Sequence, residues 1–272
     1  MEENKQVVKT GLQKFNGFME NTRTQEYLQS VLNDRKSLFV TNMVSLVANN
    51  KSLQECQPAS IMYAGIKAVG LNLSLDSNLG YCYVLPYKDN KNKTTVATFQ
   101  VGVKGLVQLA MRSGQFKSLN VGDVRDGEIV EEDFLSGEMK FKRLQKDRNK
   151  AKVVGYFAYM KLLNGFEKTL YMNVEDLKAH GLRYSQTFKR GFGLWADDFS
   201  KMAEKTVLKQ LLNRYAPLSI EMETALKADQ AVITETGEKY IDNPKRDNSE
   251  EYEDFEEVDD LPEETDSKEE QK

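Results

Sequence analysis

From Thr24 to Ala48, apolar residues recur at Tyr27, Leu28, Val31 and Leu32, then at Leu38, Phe39, Met43, Val44 and Val47. This is helical spacing with a break between Asn33 and Ser37. A shorter helix is predicted over Pro58 to Gly70, framed by a proline in its first turn and a glycine at its end. Beyond Gly70 the period drops to two in Leu71–Leu75, Tyr81–Lys88 and Thr94–Val101. The last two segments, joined by Asp89-Asn90-Lys91-Asn92-Lys93, predict a hairpin with a basic turn, and Pro86 argues for an edge strand.

Val103 to Gly114 reads as a helix closed by its glycine. Strands are predicted over Phe116–Val124, Met139–Arg143, Val153–Leu163 and Lys168–Met172. Asn173, with Asp176 three residues on, predicts the cap of a short helix that stops near Gly181. A basic, glycine-containing loop then leads to a long helix from Trp195 to Tyr215, ended by Pro217. Helices, then a cluster of strands, then helices again predict an α+β fold with a β-hairpin and antiparallel sheet backed by helices.

Charge divides the chain in two. Residues 231–272 carry 17 Asp and Glu against 5 Lys and Arg, leaving 33 basic and 25 acidic groups in residues 1–230. The net charge of -4 hides a cationic body and an anionic tail. The expected organisation is a folded domain over 1–230 and a disordered acidic tail over 231–272, since dense like charge with few aliphatic residues cannot offset the entropy of ordering. A cationic body suits a polyanionic ligand, for which a tethered acidic segment can compete.

Several classes of chemistry lack their residues. There is no GxxxxGK[ST] phosphate loop, so ATP-driven strand exchange is not expected. His180, the sole histidine, precedes a glycine and is expected at the surface, and Cys56 and Cys82 lack metal-ligand spacing. No cofactor and no catalytic residue is expected. The N-terminus has no apolar leader and no segment suits a membrane, which points to a reduced, cytoplasmic protein. Asp123, Asp126, Glu131, Glu132 and Asp133 keep a metal-dependent nuclease as a rival reading, although Asp126-Gly127 also suits a turn. Asp197-Asp198 suits the first turn of a helix.

The basic and aromatic clusters are more informative. Lys140 to Lys152 holds seven cations against Asp147 alone, either for DNA or as a solvated edge that resists pairing. In the loop Arg183 to Trp195, four aromatics interleave with Arg183, Lys189 and Arg190, the combination that grips phosphates and stacks under bases. Phe192 lies between its two glycines. In the long helix Lys201, Lys205, Lys209 and Asn213 follow one another at intervals of four, along one slowly drifting stripe. Lys104, Arg112 and Lys117 flank the helix after the hairpin, where a cation near the C-terminus is favoured in any case.

Taken in order, GLNLSL, YCYVLPYK, FQVGVKGLVQLAMRSGQF, GYFAYMKLLNGFEKTLYM and WADDFSKMAEKTVLKQLL resemble the RecT family of phage and prophage single-strand annealing proteins over roughly residues 25 to 228. The resemblance implies the annealing fold of RecT and Red-beta proteins and a basic groove that holds the DNA backbone. It further implies ATP-independent pairing of complementary strands by a homo-oligomeric ring or filament, in phage-type recombination. Single-stranded and annealed duplex DNA would be its ligands, with a phage exonuclease and, as a further candidate, a host single-strand-binding protein as partners. Lys104, Arg112, Lys201, Lys205, Lys209 and the Arg183–Phe192 loop would lie near DNA. A passive single-strand-binding protein remains the third reading.

Overall fold

Thr10 caps the first helix reciprocally, its hydroxyl accepting from the Gln13 N–H while its own N–H donates to Gln13 Oε1. The structure, a computed structural model, describes residues 10–240 except 77, 90, 91 and 134. Helix α1 (Gly11–Glu20) is followed by α2 (Thr22–Leu32), a 3₁₀ turn (Asn33–Arg35) and α3 (Lys36–Ala48). Asn33 has φ 47°, and this left-handed residue makes the predicted break. Phe15 and Met19 of α1, Leu28 of α2, and Phe39, Met43 and Val47 of α3 are buried together against α4 (Pro58–Gly70).

Strands β1 (Cys82–Asp89) and β2 (Thr94–Val101) form the predicted antiparallel hairpin, Cys82 opposite Val101 and Asp89 opposite Thr94. Pro86 sits in β1, which among the described residues pairs with β2 alone, so its missing N–H breaks no ladder on the other side. Helix α5 (Val103–Arg112) leads into β3 (Phe116–Arg125). A small hairpin follows, β4 (Ile129–Asp133) against β5 (Glu138–Phe141). Strands β6 (Val153–Leu162) and β7 (Glu167–Asn173) complete a three-stranded antiparallel sheet of order β3-β6-β7.

Along β6, alternation buries Tyr156, Ala158, Met160 and Leu162 on one face. That face receives the later helices. Helix α6 (Val174–Tyr184) starts at the predicted cap, where Asn173 Oδ1 accepts from Asp176 N at 2.7 Å. Two short turns, α7 (Gln186–Lys189) and α8 (Leu194–Asp197), precede the long helix α9 (Phe199–Tyr215). Helix α9 lies on the sheet, its Ser200 hydroxyl 2.8 Å from Tyr156 Oη. Helix α10 (Ile220–Ala228) and a hairpin of β8 (Val232–Thr234) and β9 (Gly237–Lys239) close the fold.

The fold is the expected mixture of helices and antiparallel sheets, with corrections. The packed body does not end at residue 230: Ala231, Val232 and Ile233 are buried, and the Phe99 N–H donates to Ala231 O at 2.9 Å. Lys67 Nζ holds Glu238 at 2.7 Å, fixing the second strand of this hairpin. A short apolar run pairs with β2 and overrides the acidic composition around it. The expected disorder of the remaining tail concerns residues 241–272, which lie outside the described residues, as do two residues of the basic hairpin turn. Leu71–Leu75 forms no strand, whereas the acidic run Glu131–Asp133 does. No helix among the described residues is long and apolar enough to cross a membrane.

Candidate nucleic-acid interface

The stripe of lysines on α9 does not have one fate. Lys201 lies in the first turn, beside the N-cap Asp198, whose carboxylate accepts from Lys201 N at 3.3 Å. Its side chain is 81% exposed. One turn on, Lys205 is buried, with Nζ 2.8 Å from Asp229 Oδ1. Lys209 Nζ reaches the other oxygen of the same carboxylate at 3.2 Å. Asp229 also accepts from the Val101 N–H at 3.0 Å, so it ties α9 to the end of β2. Burial alone would raise this carboxyl's pKa, but the adjoining Lys205 and Lys209 hold it below the usual range.

This corrects the expectation for Lys205. A spacing of four runs the stripe from open solvent into the joint between α10 and β8, and there the cation meets an internal counter-ion. Lys205 offers no charge at the surface, and Lys209 only part of one. The sequence carried a signal for this in Asp229, a lone acid within the apolar run LKADQAVI. Asn213 is exposed on the last turn.

Arg112 is also engaged. Its Nη1 and Nη2 donate to Leu71 O and Asn72 O, each at 3.0 Å, so the guanidinium caps the end of α4 from the end of α5. Lys104 and Lys117 are both exposed. The stem of Lys104 lies beside Gly80 and the Tyr83 hydroxyl, since a Cβ at Gly80 would stand 3.6 Å and 3.1 Å from them. Tyr83 also lies within electrostatic range of Lys201. The fold therefore brings Lys104 and Tyr83 together at Gly80, and Tyr83 is an aromatic that residue spacing alone does not single out.

The segment from Arg183 to Trp195 has two sides. Trp195 is buried and stacks on Phe188 at 5.7 Å between ring centroids, with Phe199 edge-on at 5.6 Å. Gly181, expected to stop α6, instead lets these rings in: a Cβ there would stand 3.0 Å from both Phe188 and Trp195. The helix runs on to Tyr184. Gly193, at φ 88°, turns the chain into α8 and leaves room for Thr187 Oγ1, which a Cβ would meet at 2.8 Å. Outward stand Arg183, Lys189, Arg190 and Phe192, the last 52% exposed. The Arg183 guanidinium lies over the Tyr184 ring at 5.4 Å.

His180 is not the surface residue expected. It is half-buried, 4.6 Å from the Tyr184 ring centroid, and burial, reinforced by Lys209 and Arg183, pushes its pKa down to about 4.

The basic stretch Lys140–Lys152 forms a strand only as far as Phe141, whose ring packs on Phe157 at 5.7 Å and Tyr171 at 6.4 Å. The rest is pinned by Arg148, which reaches Glu128 at 2.7 Å and Asp123 at 3.3 Å. Glu128 also accepts from Arg125 N and Leu144 N. The Arg148 hydrogen bond foremost holds its carboxyl at about 2. Lys142, Arg143, Lys146 and Lys152 remain exposed around this anchor.

Two of the five carboxylates of the nuclease reading are paired with cations, Asp123 with Arg125 and Arg148, and Glu131 with Lys140 at 2.7 Å. Among the described residues no three His, Cys, Asp or Glu stand together as metal ligands. Both cysteines are buried, and burial pushes their thiols up to about 12, which suppresses the nucleophilic thiolate. What this surface offers is cations and rings: Arg183, Lys189, Arg190 and Phe192 along one exposed segment, Lys104 near Tyr83, and Lys201 exposed at the start of α9.

A sequence model of the RecT family matches residues 37–246. The uncharacterized protein YqaK of Bacillus subtilis (strain 168) is 35% identical over 212 residues, 77% of this chain and 70% of that protein. Protein RecT of Escherichia coli (strain K12) is 29% identical over 181 residues, 66% of this chain and 65% of that protein.

Proposed function

Because this chain belongs to the RecT family, whose members act in DNA recombination as DNA-binding, strand-annealing proteins, we propose that it pairs complementary single strands without nucleotide hydrolysis. The observation that carries this is the ledge from Arg183 to Leu194, where three cations and two outward rings stand on a buried aromatic anchor. Cations fix a sugar-phosphate chain without reading sequence, and rings support unpaired bases. An annealing protein needs both, since pairing itself supplies the specificity.

Lys104, Lys117, Lys201 and Asn213 extend this surface, while Arg112 and Lys209 add charge from positions that also hold the fold together. Each subunit offers few contacts. Tight holding then requires subunits tiled along one strand as a ring or filament, so that later contacts form at high local concentration. An exonuclease that exposes single strands and a host single-strand-binding protein fit as partners. Work on intracellular DNA would place the protein in the cytoplasm.

Two complementary labelled oligonucleotides, mixed with the protein in nucleotide-free buffer, test the proposal through the rate of duplex formation. Faster pairing is expected, with affinity for single strands falling with a log-log salt slope of about 0.7 per phosphate neutralised. Coating that slows pairing would identify a passive binder, and shortened products in Mg²⁺ would identify a nuclease.

A further inference from the structure

The ledge that binds DNA in the proposed function has a second candidate occupant within the same chain. Leu182, Tyr184, Phe192 and Leu194 are 46%, 38%, 52% and 49% exposed, an unusual density of outward apolar groups for one short stretch. Between them stand Arg183, Lys189 and Arg190. A matching surface must therefore be apolar and anionic at once.

Tyr252 to Leu261 has that composition in strict order: Tyr252, Phe255, Val258 and Leu261 occur every third residue, with two acids in each interval. Carboxylates here take the place of phosphates, and two of the four apolar groups are rings that can take the place of bases. Residues 241–272 hold 15 acids against 4 basic residues. The spacing adds apolar anchors to that bulk charge.

The last described residues lie against the end of α10, and the segment follows from there. Tyr240 Oη donates to Lys227 O at the end of α10. Two residues further, Asp229 holds Lys209 at 3.2 Å, and Lys209 and Arg183 both act on His180. The eleven residues 241–251 span up to about 36–40 Å when extended, at roughly 3.3–3.6 Å each.

We infer that residues 252–261 dock on the ledge of their own chain and compete there with single-stranded DNA. The tether supplies the segment at an effective concentration near millimolar, so docking with an intrinsic Kd of about 0.25 mM lowers apparent DNA affinity about fivefold. Docking and DNA share the same cations, so salt weakens both together.

The inference rests on the DNA-binding reading of this ledge, and two readouts keep them apart. In the full chain, a zero-length carbodiimide crosslinker is expected to join the acids of residues 253–260 to Lys189, and oligothymidylate is expected to abolish that product. Crosslinks spread over all exposed lysines, or formed only between chains as concentration rises, would overturn it. Oligothymidylate binding is then compared between the full chain and a full chain with Tyr252, Phe255, Val258 and Leu261 changed to serine, and in a second variant with the six intervening acids changed to Asn or Gln. Both variants are expected to bind more tightly, by about fivefold for the charge variant. Unchanged affinity in both would overturn the competition. If no form binds DNA, the functional reading fails, while the crosslink to Lys189 still decides the docking.

Discussion

Lys205 and Lys189 differ more than their shared charge suggests. Lys205 lies inside the molecule on Asp229, and Lys189 stands on an exposed turn beside Arg190. Both come from basic clusters with helical or loop spacing that suits a polyanion. Spacing gives the direction of a side chain along its own element, whereas charge on offer depends on what another element brings opposite. For Lys205 that element is the joint after α10, distant in sequence.

The largest test of this contrast removes the internal counter-ion. Asp229→Ala leaves the buried Lys205 ammonium without its carboxylate, and is expected to cost about 3–5 kcal/mol in urea unfolding. A loss under about 1 kcal/mol would mean that Lys205 reaches water, which would return it to the surface. At the other pole, changing Arg183, Lys189 and Arg190 together to alanine is expected to leave the unfolding midpoint nearly unchanged. Oligothymidylate affinity should fall at least tenfold, and the log-log salt slope should drop by about 2. Equal loss of stability in the two variants would erase the distinction.

His180 sits between the two regions, and its effect depends on pH. The unfolded chain takes up the imidazole proton near 6.5 and the folded chain only near 4. Unfolded protein therefore binds more protons in that interval, so stability from this group is complete above 6.5 and lost as pH falls through 4. His180→Phe, which keeps a ring against Tyr184 and Trp195, should flatten the stability curve between those values. Glu128 acts lower, losing its contribution as pH falls from 4.5 towards 2, so the two slopes separate. The smallest effect belongs to Lys201→Ala. Its exposed pair with Asp198 contributes little to stability, while DNA affinity should fall a few-fold in titrations at low salt.

Much of the fold was readable where one signal dominated. Pro58 and Gly70 framed α4 at its true ends, and the alternation around Asp89–Lys93 fixed the first hairpin. Helix α10 was missed because nine residues after Pro217 look like the approach to a tail, and β8 because Val232 and Ile233 are outnumbered by the acids that follow. Both elements depend on partners made much earlier in the chain. The ledge itself was legible in its residue types, but which rings face inward was not. Phe188 and Trp195 point in because Gly181 admits them, a fact of the neighbouring helix rather than of the loop.

The contact between Phe99 and Ala231 has a consequence for how the protein is born. Synthesis runs from the N-terminus, so β2 leaves the ribosome long before the residue that closes its outer edge exists. Until Asp229 emerges, Val101 lacks the acceptor for its N–H and Lys205 lacks its anion. A nascent chain stopped short of that point holds most of its helices yet presents an open strand edge, a known route to aggregation. Closure of this fold therefore waits on residues 229–233, and a frameshift shortly before them would be far more harmful than its position suggests.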